Sequence, residues 1–233
     1  MPVWNKGLTK DTHPALRKTS ETMRRKHIDN FKNWRNGMKQ QGLIKSLYPP
    51  LAKNGDLAEL IGVVLGDGHL HKHDRCDSLR IVGDAKKMGF ITRSAQLIHS
   101  VFEKQPKVMK RSNSNAVNIT LYEKNIAKRL NIPTGARAQY EFDLPVWIEK
   151  NRNNKLRFLR GLYEAEGSLS HHPATYTHKF IFSNMNPHLL ELVARLVRGL
   201  GFTVSISAKR IQVSRKEEVQ KLSDLIQFRY YES

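Results

Sequence analysis

The sequence predicts an α+β chain. Two pseudo-symmetric half-domains each run helix, two strands, helix, two strands, helix (αββαββα) with antiparallel sheets, behind an extended basic segment that carries a helix. Three observations predict this. The order of periodic segments starts again after about 90 residues, a repeat that suits two halves about a pseudo-two-fold axis. The first helix of each repeat ends in the same run of small residue, acid and glycine. Residues 1–50 hold eleven Lys or Arg against three Asp or Glu, with few aliphatic residues. The divisions follow: 1–50 as basic extension and linker, 51–150 as first half, 151–233 as second half.

In the extension, "TSETMRRKHIDNFKNWRNGMKQ" reads as one helix capped by Thr19 or Ser20, and "LYPPLAKNG" as a linker. Residues 57–66 read as a buried helix, and 69–73 and 78–83 as short strands. "AKKMGFITRSAQLIHSVFEK" has helical apolar spacing. "PKVMKR" and "NAVNITLY" are strands, with Val117, Ile119 and Leu121 alternating against Asn118 and Thr120. "EKNIAKRLN" is a short helix, and "IPTGARAQYEFDLPVWIEKNRN" a connector. Then the order restarts: a helix from Lys155 to Ala165, strands near 168–171 and 178–183, and the amphipathic helix "NPHLLELVARLVRGLG". "FTVSIS" and "KRIQVS" alternate as strands, and "KEEVQKLSDLIQF" is the last helix.

The formal charge of +19 points to a polyanionic partner, either nucleic acid or an anionic membrane surface. Against the membrane, there is no run of about 18 apolar residues, and "MPVWNKGLTK" lacks the apolar segment of a signal peptide. An intracellular, soluble protein is expected. Cys76 is the single cysteine, so no internal disulfide exists and a reducing compartment fits.

The two first helices carry the chemistry. "LIGVVLGDGHL" and "FLRGLYEAEGSL" superimpose with Leu60 on Leu159, Gly62 on Gly161, Gly66 on Ala165, Asp67 on Glu166 and Gly68 on Gly167. Small residues four apart share one helix face, so two such faces can pack closely. Gly68 and Gly167 suit the left-handed residue that ends a helix. Asp67 and Glu166 then sit at the negative dipole ends, where stability favours Lys or Arg. Two carboxylates and exposed last-turn carbonyls at one place call for a cation, and all-oxygen donors suit Mg²⁺ or Ca²⁺. Paired acids holding divalent ions beside a basic surface can hydrolyse a phosphodiester.

Both stretches resemble the LAGLIDADG motif of homing endonucleases, present twice as in the single-chain members. "LIGVVLGDG" matches at Leu60, Gly62, Asp67 and Gly68; "LRGLYEAEG" matches at Leu159, Gly161, Leu162, Ala165 and Gly167. The resemblance covers about residues 56–233. It implies a central helix interface through Gly62 and Gly161. It also implies catalytic metal, Mg²⁺, on Asp67 and Glu166 with the carbonyls of Gly66 and Ala165; Ca²⁺ would bind without supporting cleavage. Glu164 aligns with Leu65 and takes no catalytic role, and Glu rather than Asp at 166 shifts metal geometry between the two cutting sites. An auxiliary basic residue follows the last helix of a half in this family, and Arg137 in "PTGARAQ" holds that place. The implied protein is a site-specific double-strand DNA endonuclease, a monomer acting as a pseudo-dimer on a long asymmetric target. Its rivals on the same scaffold are an RNA maturase and a non-cleaving DNA-binding regulator. Retention of both acids counts against the regulator.

In the family the two curved sheets form a saddle over the major groove. Strand alternation turns His69, His71, Ser78 and Arg80 outward, against Leu70, Leu79 and Ile81 inward. It likewise turns out Thr203, Ser205 and Ser207 against Phe202, Val204 and Ile206, and Arg210, Gln212 and Ser214 against Ile211 and Val213. Asn118, Thr120, Ser168, Ser170 and Lys179 join them as candidates to read base edges. His69, His71, His73 and Cys76 could hold Zn²⁺, but no second ligand cluster completes such a site, and a DNA-facing strand is the expectation. "WNKGLTKDTHPALRKTSE" resembles a short DNA-binding module appended to other homing nucleases, which places Trp4, Asn5 and Lys6 near the DNA backbone or minor groove.

The excess of eight positive charges in residues 1–50 yields a direct test. Deleting residues 1–46 is expected to weaken duplex binding and to shorten the footprint at one end. Each phosphate left without its cationic side chain lowers the log–log salt slope by roughly 0.9, so the slope should flatten by several units. Footprinting both forms over a range of salt checks this, and an identical footprint rules out a docked module.

Overall fold

The computed structural model describes residues 6–42, 45–229 and 231. The chain divides into two compact units, residues 1–48 and 49–233.

In the first unit the single expected helix is two: α1 (Pro14–Arg25) and α2 (Lys32–Gln40). Pro14 opens α1, where its fixed φ is pre-organised and its missing N–H costs nothing. Thr19 lies inside α1 and donates to the Ala15 carbonyl at 2.9 Å instead of capping. The break has a local cause. His27 takes a left-handed φ of 51°, and the Asp29 side chain captures the Phe31 N–H at 3.2 Å, offering the backbone an alternative to helix. Neither helix buries a residue. Trp4 and Asn5 lie outside the described residues; Lys6 is exposed.

The first half of the second unit consists of α3 (Gly55–Gly66), β1 (Gly68–Lys72), β2 (Asp77–Asp84), α4 (Met88–Phe102), β3 (Lys107–Lys110), β4 (Ala116–Glu123) and α5 (Ile126–Leu130). A connector with the short α6 (Val146–Glu149) leads to α7 (Arg152–Glu166), β5 (Gly167–His172), a 3₁₀ turn and β6 (Thr177–Ser183). α8 (Pro187–Gly199), β7 (Ser205–Ser207), β8 (Arg210–Val213) and α9 (Lys216–Ile226) complete the second half. Both halves are therefore αββαββα. Each sheet is antiparallel, ordered β1-β2-β4-β3 and β5-β6-β8-β7. One face of each sheet feeds the core, through Leu70, Leu79, Ile81 and Ile119 in the first and Phe180, Phe182, Ile211 and Val213 in the second. α4 covers the first sheet and α9 lies on β6 of the second.

α3 and α7 start alike: Asn54 and Asn151 accept the Leu57 and Asn154 N–H groups, each at 3.0 Å, as N-caps. The two helices then touch backbone to backbone. A Cβ on Gly62 would lie 2.3 Å from the Phe158 carbonyl oxygen, and one on Gly161 would lie 2.1 Å from that of Glu59. The glycines after the acids are needed for a different reason from the one the sequence suggests. Neither Gly68 nor Gly167 has positive φ. The chain runs straight from helix into strand, and a Cβ there would strike Val64 Cα at 2.5 Å or the Tyr163 carbonyl at 2.3 Å.

Beside the crossing, fully buried Glu59 collects guanidinium groups from both halves. Arg93 Nε lies 2.9 Å and Arg157 Nε 2.9 Å from its carboxylate, Arg160 Nη1 lies at 3.6 Å, and Arg229 also bonds it. Burial alone would raise its pKa. Hydrogen bonds from Arg93 and Arg229, with the Arg229 charge, bring it down to about 2. Glu164 turns to the same cluster, bonded by Arg229 Nε at 2.7 Å and the Tyr231 hydroxyl at 2.9 Å.

The interface is open to mutation at two points. Gly62→Ala and Gly161→Ala should each cost about 1–3 kcal/mol or more, because the atoms a methyl meets are backbone and cannot step aside. Gly199→Ala, with nothing within 4 Å of its Cβ, is the control and should be near neutral or slightly stabilising. Melting temperatures read both. A depressed carboxylate pKa stabilises above its unfolded value and loses that stability as pH falls through the folded one. Glu59→Gln should therefore lower stability at pH 7 by about 3 kcal/mol. The gap to wild type should close between pH about 4.5 and about 2, as measured by urea unfolding at several pH values.

Candidate metal centre and nucleic-acid surface

The backbone contact forces the two helix ends together. A Cβ on Gly66 would sit 2.6 Å from Ala165 Cβ and 3.1 Å from Glu166 Cγ. Glu166 is the last residue of α7, and Asp67 is the C-cap of α3. Burial pushes the Asp67 pKa up to about 7. The Glu166 charge adds to the rise and Lys87 partly offsets it. Burial also raises that of Glu166. Among the described residues no salt bridge reaches either acid, in contrast to Glu59. The site is thus a pair of half-buried carboxylates without a salt-bridge partner, at two negative dipole ends.

Three neighbours complete it. A cleft of about 340 Å³ opens beside Glu166 and is lined by Gly66, His69, Arg137 and Asn184. Arg137, the residue the sequence offers as an auxiliary basic side chain, donates Nη2 to the Gly68 carbonyl, while its Nη1 is buried without a hydrogen-bond partner. Burial lowers its pKa. Sequence reasoning misses the other two. Lys87 is the positive charge that acts on Asp67, and Asn184 Nδ2 donates to Glu166 Oε1 at 3.4 Å. Both occupy the turn between the second strand of a half and its next helix. The internal repeat held that signal, because the turn following each second strand returns to the motif helix.

The candidate reading residues divide. His69, His71, Arg80, Ser168, Ser170, Lys179, Ser205, Ser207, Arg210 and Ser214 are exposed, and Asn118 and Gln212 are half-buried. Ser78 and Thr120 are corrections, only 6% and 9% exposed. They lie on central strands between longer side chains: Ser78 between His71 and Tyr122, Thr120 between Arg80 and Lys107. Ser78 Oγ is also within 3.1 Å of His73 Nε2. Thr203 precedes β7 and spends its N–H and hydroxyl on Glu218, at 2.6 and 3.1 Å. Ile206, expected inward, is 48% exposed because β7 is a three-residue edge strand. The His69 and His71 rings stack with centroids 6.4 Å apart, and His73, just past β1, meets His71 edge-on at 4.5 Å. Among the described residues no three His, Cys, Asp or Glu side chains converge on a metal position.

Residues 153–229 match the model of a LAGLIDADG-like domain. No curated protein matches the sequence. Similar solved structures include I-DmoI in complex with DNA and Mn, at 19% identity and a TM-score of 0.50, covering 77% of this chain and 99% of that one. The I-DmoI G20S variant with its target DNA and Mg is similar at 18% identity and a TM-score of 0.51, covering 76% and 97%. Full-length DUF199/WhiA from Thermatoga maritima is similar at 15% identity and a TM-score of 0.53, covering 78% and 58%. The chain shares with these structures the two-half LAGLIDADG fold.

Proposed function

We propose that the chain is a site-specific, metal-dependent endonuclease that cuts both strands of a DNA duplex. One observation carries the reading: Asp67 and Glu166 meet, half-buried and with no salt-bridge partner among the described residues, at the abutting ends of α3 and α7. A carboxylate pair that burial makes reluctant to ionise fits a divalent cation. Asp67 and Glu166 would hold it with the carbonyls of Gly66 and Ala165, the remaining positions falling to phosphate and water. Bound there, Mg²⁺ supplies Lewis acidity at the scissile phosphate and lowers the pKa of water. Lys87 and Arg137 add positive charge where the cleaved phosphate gains negative charge, and Asn184 orients the Glu166 carboxylate.

The substrate reading rests on charge and on the exposed sheet faces. His69, His71 and Arg80 on one sheet differ from Ser168, Ser170, Lys179 and Arg210 on the other, which suits a long target with unlike halves read by one chain. I-DmoI, of the same fold, is solved with its target DNA and Mg or Mn, which supports duplex DNA and a divalent ion. Among the described residues no helix is long and apolar enough to cross a membrane. A binder that does not cut, on DNA or on intron RNA, would use the same basic sheets but has no need of two unneutralised acids.

Asp67→Asn and Glu166→Gln should each lower double-strand cleavage about a hundredfold or more on a supercoiled plasmid bearing the site. Duplex affinity measured with Ca²⁺ should persist, because phosphate contacts supply most of it. Mg²⁺ should support cutting, Ca²⁺ binding alone, and EDTA should stop the reaction. Cleavage at the wild-type rate by either variant, or a requirement for Zn²⁺, refutes the assignment. A raised carboxyl pKa favours the fold below the unfolded value, and that benefit is lost as pH rises through about 7. Asp67→Asn in EDTA should therefore melt above wild type at pH 8 and near it at pH 4.

A further inference from the structure

We propose that Asn186 is a positioning residue that clamps the connector across the two halves and so couples the two acid sites, which makes cutting of both strands one concerted event. The inference rests on the nuclease reading above.

Asn186 is only 6% exposed and uses both ends of its amide. Its Oδ1 caps α8, accepting the N–H of His188 at 3.0 Å and of Leu189 at 3.3 Å. Its Nδ2 donates to two connector carbonyls, Arg137 at 2.9 Å and Tyr140 at 2.6 Å. Capping alone is served as well by Asp or Ser. Only a side chain with donor and acceptor at one end can cap a helix and hold two carbonyls.

The bonds continue in both directions. The Asn186 N–H donates to Asn184 Oδ1 at 2.9 Å, and Asn184 Nδ2 reaches Glu166 Oε1 at 3.4 Å. On the other side the connector is fixed to β1. The Gly135 N–H donates to the Leu70 carbonyl at 3.0 Å, and the Arg137 guanidinium donates to the carbonyl of Gly68, the residue after Asp67. A continuous path of hydrogen bonds thus runs from Glu166 through Asn184, Asn186 and Arg137 to the backbone beside Asp67. Among the described residues the first half has no counterpart of this clamp. The corresponding cap of α4 is Lys87, which makes no side-chain capping bond. Release of Asn186 frees the Arg137 and Tyr140 carbonyls and loosens Arg137 from the β1 start. Glu166 then keeps its hydrogen bond to Asn184 and its place at the helix crossing, but loses its hydrogen-bonded link to the connector and the β1 start.

Asn186→Asp separates the clamp from the cap. The carboxylate still caps α8, but both donors are gone and an oxygen faces two carbonyls. Hydrogen exchange on the full chain should show the Gly135 and Tyr140 amides losing protection about tenfold, with the α8 amides unchanged. On supercoiled plasmid with Mg²⁺, the ratio of nicked to linear product should rise about fivefold or more, since one strand is cut without the other. A residue that only stabilises the fold would slow both cuts equally and leave that ratio alone. Asn186→Ala, which loses cap and clamp, should add exchange in the first turn of α8. Wild-type protection at Gly135 and Tyr140 in Asn186→Asp overturns the clamp. Reduced protection with an unchanged nicked-to-linear ratio overturns the coupling. If the wild-type chain cuts no duplex, the nuclease reading and the coupling fall together, and the exchange result still decides the clamp.

Discussion

The contact of α3 with α7 through bare backbone is the constraint on which the rest depends. With Gly62 against the Phe158 carbonyl and Gly161 against that of Glu59, the helices cannot slide apart without leaving a void, nor closer without collision. Their C-termini must therefore finish together, and whatever follows each helix begins from one point. The two sheets start there through Gly68 and Gly167. The acids between helix and sheet have no freedom to separate and so cannot relieve their repulsion by moving. Burial at that junction raises both pKa values, and the Glu166 charge adds to the rise at Asp67.

The interface sorts its acids into two kinds. Glu59 is held by arginines from both halves, whose charged hydrogen bonds outweigh the cost of its burial, while Glu164 is held by Arg229 and Tyr231 and burial still raises its pKa. Asp67 and Glu166 have no such partners among the described residues. Glu164 and Glu166 stand two residues apart on α7, a separation that turns them to different sides of the helix. One side meets Arg229 and Tyr231; the other opens on the cleft with Asn184. The same residue type two positions apart thus acts once in cohesion and once at the candidate metal centre.

Local pattern makes the α+β order, the repeat and the acid-bearing helix ends legible in the sequence, because period-2 and period-3.6 spacing and small-residue faces are local properties. Where pattern misleads, neighbours distant in sequence decide. Ser78 and Thr120 alternate correctly but are overlaid by His71, Tyr122, Arg80 and Lys107 from adjacent strands. Ile206 alternates correctly but sits on an edge with too little above it to bury it. The break after α1 is a local signal that charge composition obscured, since Asp29 can take a backbone N–H as readily as a helix can. Lys87 and Asn184 carry no motif of their own. Only the return of each turn to the motif helix brings them near an acid. The family model recognises residues 153–229 alone, although both halves share one fold. In the first half "LIGVVLGDG" lacks the second acid that "LRGLYEAEG" keeps.

The arginines around Glu59 also set an order of events at birth. Arg93 is made soon after Glu59, but Arg157 comes 98 residues later and Arg229 170 residues later. At about 5–20 residues per second, Arg229 trails Glu59 by roughly ten to thirty seconds on the ribosome. Through that interval the nascent first half presents a naked glycine stripe and a carboxylate with one guanidinium beside it. Its sheet can form and α4 can pack on α3, but the glycine face of α3 has no partner until α7 is made, Arg157 following Glu59 by 98 residues. Burden on chaperones should therefore peak while the first half waits for its counterpart.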